Sequence, residues 1–362
     1  MKVTKFKTIV IMFIWCMFYS CTNGAQNRKP ANLAGKSDVY KMLYYASLAG
    51  SSHNTQPWKV EVSGDSLIQL YADTTRALTV VDPEHRELNM SLGAFIENLT
   101  LAAGGLGYDI NIKLNGSKKN STLVAEIHIN KASSTHYNLE LIEKRRTLRT
   151  PFDTTSINEK DINQLRASDS QHIHFFSSQS KEGDFIAQKT LEGYTQEAYN
   201  QAAQNELVKW LRFSDKDVNE KKDGLTTAGM QIEGISGFFV RHFIKPEDTK
   251  KEMFVKGGID KTKNQVMNCG GWIVISNSDN TFAEWIKTGR LYEHIHLTCT
   301  QLQIGFQPMN QAIQETMLKK IVAKELGISD ELLFIARVGY VAKAPTPVSP
   351  RRPVEAFTIF EK

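Results

Sequence analysis

Apolar side chains recur at three-to-four spacing through Val39, Met42, Leu43, Ala46 and Leu48 until Gly50 breaks the run. That period predicts an amphipathic helix over residues 37–50, followed by a loop to Pro57. Residues 58–62 (WKVEV) and 67–71 (LIQLY) flank Ser63-Gly64-Asp65, a hairpin signal. Residues 87–106 predict a long helix carrying Ser91, Gly93, Ala94, Ala102, Ala103 and Gly104. Side chains this small let another helix approach closely, which argues for a central, buried position. Residues 122–130 (TLVAEIHIN) alternate as a strand and close a first half.

A second half begins near Asn138 with a basic helical segment. Ser156 and Glu159 have the spacing of a capping box ahead of Ile162 and Leu165. Strands are predicted at 172–176, 272–276 and 332–340, and helices at 181–204, 281–303 and 313–326. Residues 215–263 are polar, punctuated by glycine and poorly periodic, with an apolar island at 235–243. A long irregular insertion of this kind predicts a lid or a mobile excursion. Residues 92–106 and 288–302 can be laid over one another with a Gly, a Glu and two Leu coinciding, as two copies of one unit would.

The N-terminal segment changes the picture of where the chain acts. Lys2, Lys5 and Lys7 precede an apolar run at 8–19 that ends in Ser20-Cys21. This is secretory signal anatomy, and about a dozen apolar residues fall short of the roughly 20 a spanning helix needs. A small residue followed by Cys resembles a bacterial lipoprotein processing site, which makes Cys21 the expected point of lipidation. An uncleaved signal anchor and plain secretion remain as alternatives. Residues 21–36 hold few large apolar side chains and are expected to form a tether.

Without the three leader lysines the chain has 41 basic against 39 acidic residues. That balance carries no nucleic-acid footprint. Cys269 and Cys299, outside the leader, show no metal-ligand spacing and are expected to be small buried hydrophobes. His172 and His174 lie in a strand-like run without a third ligand. His294 and His296 lie in a predicted helix, where i,i+2 side chains point apart, so no metal site is expected. Gly104-Gly105-Leu106-Gly107 follows a helix, not the strand a dinucleotide fingerprint requires.

Three segments carry chemistry. Residues 49–58 (AGSSHNTQPW) form a polar loop whose Ser51, Ser52, Asn54 and Gln56 can donate and accept hydrogen bonds. Residues 145–152 (RRTLRTPF) offer Arg145, Arg146, Thr147 and Arg149, and Arg337 and Arg351 follow near the end. Arginine forks bind phosphate bidentately and stay charged, which suits a phosphomonoester with about two negative charges.

Together these segments resemble the nitroreductase family. SSHNTQPW is similar to the loop that nitroreductases place against their flavin, RRTLR to the opening segment that grips the FMN phosphate, and residues 337–355 to the closing strand and terminal arginine. The loop occurs only in the first half and the arginine segments only in the second. Fused twin-domain nitroreductases share that division, together with a stretch like Asp82-Pro83-Glu84-His85-Arg86.

The resemblance implies an α+β fold of two nitroreductase-like halves, 37–137 and 138–362, each a mainly antiparallel sheet flanked by helices and meeting at a pseudo-twofold seam. It implies one FMN per chain, its phosphate on Arg145, Arg149 and Arg351, with Arg146 and Thr147 beside them, and its ring against Ser51, Ser52, Asn54 and Gln56. No catalytic side chain is singled out. The implied activity is reduction of a small nitroaromatic or quinone by hydride transfer, with electrons from a nicotinamide or a redox partner. Fusion of the usual dimer into one chain implies a monomer. The rival reading is a flavin-sequestering lipoprotein with little turnover, anchored on the periplasmic side of a bacterial membrane or at the cell surface.

Overall fold

The computed structural model describes residues 28, 30–116, 122–133, 135, 137–343 and 346–361. The leader, Cys21 and residues 22–27 and 29 of the expected tether lie outside the described residues. The fold is a mixed α+β arrangement of two sheets with a pair of long helices between them. Helix α1 (Asp38–Ser47) starts at Ser37, whose side chain accepts from the Tyr40 amide, and the hairpin strands β1 (Trp58–Ser63) and β2 (Leu67–Ala72) follow the loop. Helix α2 (Arg86–Gly105) leads to β3 (Tyr108–Leu114) and β4 (Leu123–Lys131). The first sheet has the order β11-β1-β2-β4-β3, in which only β11 (Thr358–Glu361) runs parallel to its neighbour. The chain's last strand thus completes the first sheet.

The second sheet, in the order β5-β8-β10-β9, is wholly antiparallel, with β5 at Ile173–Ser177, β8 at Gly271–Asn277, β9 at Ile304–Pro308 and β10 at Glu331–Tyr340. Its central strands are buried on both faces. Ile273, Ile275, Phe334 and Ala336 join the core shared with the first sheet. Trp272, Val274, Leu332 and Ile335 pack on the far side with Ile186 and Val322, from helices α5 (Lys181–Tyr199) and α12 (Thr316–Glu325). In the first sheet, Val60, Val62, Ile68, Leu70, Ala125 and Ile127 join the shared core.

Sequence and structure part company at identifiable places. Helix α4 (Glu159–Arg166) is capped by Asn158, whose side chain accepts from the Asp161 amide, so Ser156 is not the cap. Helix α3 (Glu140–Lys144) is a single short piece ending at Arg145. The helix predicted over 181–204 is two, because Asn200 ends α5 and caps α6 (Gln201–Val208) through the Ala202 and Ala203 amides.

The segment 215–263, expected to be irregular, is mostly helical. It holds α7 (Asp215–Lys221), α8 (Gly234–Phe243) and most of α9 (Glu252–Met267), and two-residue strands β6 (Leu211–Arg212) and β7 (Leu225–Thr226) bracket its start. A stripe of buried Val255, Thr262, Gln265 and Val266 along α9 docks it on the body, which polar composition alone does not reveal.

Helix α10 (Phe282–Gln301) supplies the partner that the small residues of α2 anticipate. A Cβ on Gly93 would lie 2.2 Å from the Ile286 carbonyl oxygen, and one on Gly289 would lie 2.1 Å from that of Met90. The crossing point is therefore two glycines in reciprocal contact, and they are the same two that coincide when the helices are overlaid. Gly93→Ala should destabilise the protein by about 1–3 kcal/mol through overpacking. Thermal unfolding of the variant against the parent checks this, and an unchanged midpoint would mean that the helices can move apart without cost.

Candidate functional site

The loop from Ser51 to Gln56 has an unusual backbone. His53, Asn54 and Gln56 have φ of 48°, 54° and 54°, in the left-handed region that non-glycine residues seldom occupy. Such strain persists only when the surroundings over-determine it. Here they do. The Ser51 hydroxyl accepts from the Gln56 amide at 3.0 Å, and Asn54 Nδ2 donates to the Gly224 and Pro350 carbonyls at 3.1 and 3.2 Å. Asn54 Oδ1 accepts from Arg351 at 2.9 Å. Gln56 donates to the Lys222 carbonyl at 2.9 Å and accepts from the Arg352 amide at 2.8 Å.

Above this loop lies a cavity of about 690 Å³, within the usual range for a small-molecule site. Its walls come from both sheets' surroundings. They include Ser51, Ser52 and His53, the Arg145, Thr147 and Arg149 segment, Tyr292 and His296 of α10, and residues of α5, α8 and α9. Five of the nine residues the sequence singles out, Ser51, Ser52, Arg145, Thr147 and Arg149, reach the wall. Asn54, Gln56, Arg146 and Arg351 do not. Asn54 and Gln56 spend their polar atoms holding the loop. Arg351 donates to the Ser47, Leu48 and Ala49 carbonyls at 2.9, 3.1 and 3.1 Å, capping the end of α1. Arg146 donates to the Thr346 and Ala228 carbonyls at 2.7 and 3.0 Å.

Arg145 reaches the wall but is already engaged. Its Nε lies 2.9 Å from Glu293 Oε1 in a fully buried ion pair, and its Nη2 donates to the Leu48 carbonyl at 2.7 Å. Its Nη1 meets His296 Nδ1 at 3.2 Å. Burial pushes the Glu293 carboxyl up while Arg145 pulls it down, and burial holds His296 well below its ordinary pKa, in the neutral form. His294 faces the other way, with Nδ1 3.1 Å from Glu97.

The cavity wall carries both cations and carboxyls. Arg149 donates to the Gly229 carbonyl at 2.9 Å and Lys261 to the Met230 carbonyl at 2.6 Å. Neither has a carboxylate partner among the described residues. Burial, with Arg146 nearby, brings the Arg149 guanidinium down to about 10, and burial with Arg149 nearby lowers Lys261. Cations lining a cavity without a carboxylate partner among the described residues have the chemistry to hold an anion.

Also on the wall, Glu87 on the first turn of α2 accepts from Ser52 Oγ at 2.5 Å, Asn310 at 3.0 Å and Gln314 at 3.2 Å. That helix start is itself capped by Asp82, whose carboxylate accepts from the Glu87 and Leu88 amides at 3.1 and 2.9 Å. Glu197 of α5 also lines the cavity, with a buried Oε2 that has no partner among the described residues. Burial first, then the charges of Glu87 and Glu206, push its carboxyl up to about 7. His53 Nδ1 is likewise buried and unpartnered. Sequence reading misses Glu87, Glu197 and Lys261, which sit on ordinary amphipathic helices; His53 is within the quoted loop but gives no sign of its orientation.

No family model matches the chain. "Putative NAD(P)H nitroreductase" of Mycobacterium tuberculosis is 23% identical over 328 residues, covering 87% of this chain and 89% of that protein. "Probable NAD(P)H nitroreductase PigM" of a Serratia species is 25% identical over 329 residues, 85% and 89% of the two chains. Among solved structures, the FMN-dependent nitroreductase of Mycobacterium smegmatis in complex with NADPH covers 62% of this chain and 97% of its own, with a TM-score of 0.40 and 16% identity. A Bacteroides fragilis nitroreductase with bound FMN covers 57% and 89%, with a TM-score of 0.33 and 14% identity. Both sequence relatives are similar to this chain over most of its length and most of their own.

Two outcomes test this description of the site. Arg145→Met should cost about 3–5 kcal/mol, because it strands a buried carboxylate, and Arg145→Met/Glu293→Leu should recover much of the loss. Chemical denaturation of the three proteins measures both steps. Glu197 has a higher pKa folded, about 7, than its ordinary 4.5, so folding favours its neutral form. Its contribution is complete below about pH 4.5 and is lost as pH rises through 7. Glu197→Gln should therefore match the parent at low pH and exceed it above neutrality, by on the order of 1–3 kcal/mol, in unfolding midpoints across pH.

Proposed function

We propose that this chain is an FMN-dependent, NAD(P)H-oxidising reductase of small nitroaromatic or quinone acceptors, with one flavin per chain in the cavity described. The observation that carries the reading is the pair Arg149 and Lys261 on the cavity wall, cationic, half-buried and without a carboxylate partner among the described residues. A phosphomonoester is the chemistry such a pair fits. The loop residues Ser51 and Ser52, with Thr147, would border the ring. Arg145 and Arg351 would act indirectly, by holding that loop and the end of α1. The resemblance of SSHNTQPW and RRTLR to the family's flavin-contacting segments, and relatives named as NAD(P)H nitroreductases, support the same cofactor and donor.

When bound, the flavin supplies two-electron redox chemistry. The chain's own part would be to hold the phosphate, exclude water through α8 and α9, and deliver a proton. Glu197, uncharged below neutrality and with an unpartnered oxygen, is suited to give that proton to a reduced acceptor. Such an acid favours turnover over sequestration, because storage of a flavin needs no proton donor. The two sheets and the Gly93–Gly289 crossing support a fusion of two similar halves across a pseudo-twofold seam, the arrangement that replaces a dimer. Export with lipidation at Cys21 remains the reading of the leader.

An absorption spectrum of the purified chain tests the proposal directly. We expect flavin bands with one FMN per chain, bleached by dithionite and by reduced nicotinamide. Arg149→Ala should weaken FMN binding about ten- to a hundredfold, as loss of one charge-assisted hydrogen bond implies. Colourless protein from flavin-replete cells would overturn the reading, and bands that dithionite alone bleaches would favour sequestration.

A further inference from the structure

Helix α8 has two apolar sides. Inward, Val240 and the following Ile244 line the cavity. Outward, Ile235, Phe239 and Phe243 recur every four residues as one stripe and are 70%, 56% and 63% exposed. Met253, 72% exposed at the start of α9, also lines the cavity and so stands at its mouth. Other exposed apolar residues, such as Met317 and Ile359, lie on separate elements. Four large apolar groups in one stretch of nineteen residues need an explanation that single ones do not.

The path of the chain indicates what covers this face. The Arg28 amide donates to the Pro347 carbonyl at 3.2 Å. The neighbouring Thr346 carbonyl accepts from Arg146 at 2.7 Å, and Arg146 also donates to the Ala228 carbonyl at 3.0 Å and lies 3.9 Å from Glu233, the residue that precedes α8. The N-terminal segment therefore joins the body beside the start of α8. Arg28 lies seven positions after Cys21, and a fully extended chain of that length spans at most about 25 Å. A lipid on Cys21 would hold this side of the molecule against the bilayer. Around the stripe, Arg241, Lys245, Lys250, Lys251 and Lys256 are nearly balanced by Glu233, Glu247, Asp248 and Glu252. Apolar insertion, not attraction to anionic lipid, is what this composition supports.

We infer that the Ile235, Phe239 and Phe243 face of α8 lies in the interfacial layer of a lipid bilayer, with the cavity mouth at Met253 turned toward the membrane. The inference rests on the lipid-anchor reading of Cys21, and the test separates the two. The full chain carrying Phe239→Cys or Met253→Cys would be labelled with an environment-sensitive fluorophore, and the unsubstituted chain labelled as a blank. Lys181→Cys is the control. It lies at the far end of α5 from Tyr199, which contacts Glu252 at 3.2 Å, and nineteen helical residues span about 28 Å.

The probe is vesicles of phosphatidylethanolamine and phosphatidylglycerol, floated first so that only bound protein is read. Labels at 239 and 253 should shift to the blue and be quenched by spin-labelled acyl chains, while the label at 181 does neither; added salt should change this little. If the protein floats but all three labels stay in water, the docking falls and the anchor stands. If nothing floats, both fall. A blue shift already present without vesicles, and unquenched by lipid labels, would mean that a second copy covers the face, and would also overturn the proposal.

Discussion

Three left-handed residues in the stretch from His53 to Gln56 cannot hold their conformation alone. The side chains and carbonyls that hold them come from residues 222–224 and 350–352, far along the chain. The cavity's shape therefore depends on a local strain relieved by distant parts of the same molecule. The same loop ties to α2 through Ser52 and Glu87, and Arg145, paired with Glu293, binds the end of α1 beside it. Arginines that look like an anion grip in the sequence thus divide into two kinds. Arg145 and Arg351 neutralise carbonyls and a buried carboxylate, and Arg149, with Lys261, keeps its charge available to the cavity.

This division explains what could be read from the sequence. Small residues at Gly93 and Gly289 announce a close helix crossing because sterics alone fix it. The 51–56 loop and the 145–149 segment are legible as a site because polar and cationic residues are concentrated there. Which arginine does what is not legible, since partners such as Glu293 and the Ser47 carbonyl are defined only by folding. Strand β11 escapes for a similar reason. It is four residues long, and its parallel partner is set by a contact between Thr358 and Val60 that leaves no local pattern. Strand β3 does alternate through Tyr108, Ile110, Ile112 and Leu114, but Asp109 and Asn111 weaken its strand character. Helix α9 is the reverse case, polar in composition yet docked through Val255, Thr262, Gln265 and Val266.

Cations and carboxyls meet on the wall of one cavity. Arg149 and Lys261, without a carboxylate partner among the described residues, line it together with Glu197, whose carboxyl is pushed up to about 7 by burial and by Glu87 and Glu206. The lining is drawn from distant parts of the chain, since α2, α5, α9 and the 145–149 segment all contribute. Burial of Arg145 with Glu293 costs desolvation, but it fixes part of that wall.

The parallel pairing of β1 with β11 also sets an order of events during synthesis. Val60 meets Thr358 across almost the whole described chain, so the first sheet stays open at one edge until residues 358–361 have left the ribosome. Residues 350–352, which clamp the strained loop, emerge just before them. A nascent chain therefore carries an unfinished strand edge and an unformed pocket while everything between Val60 and Thr358 is being made, with the aggregation risk that an open edge brings.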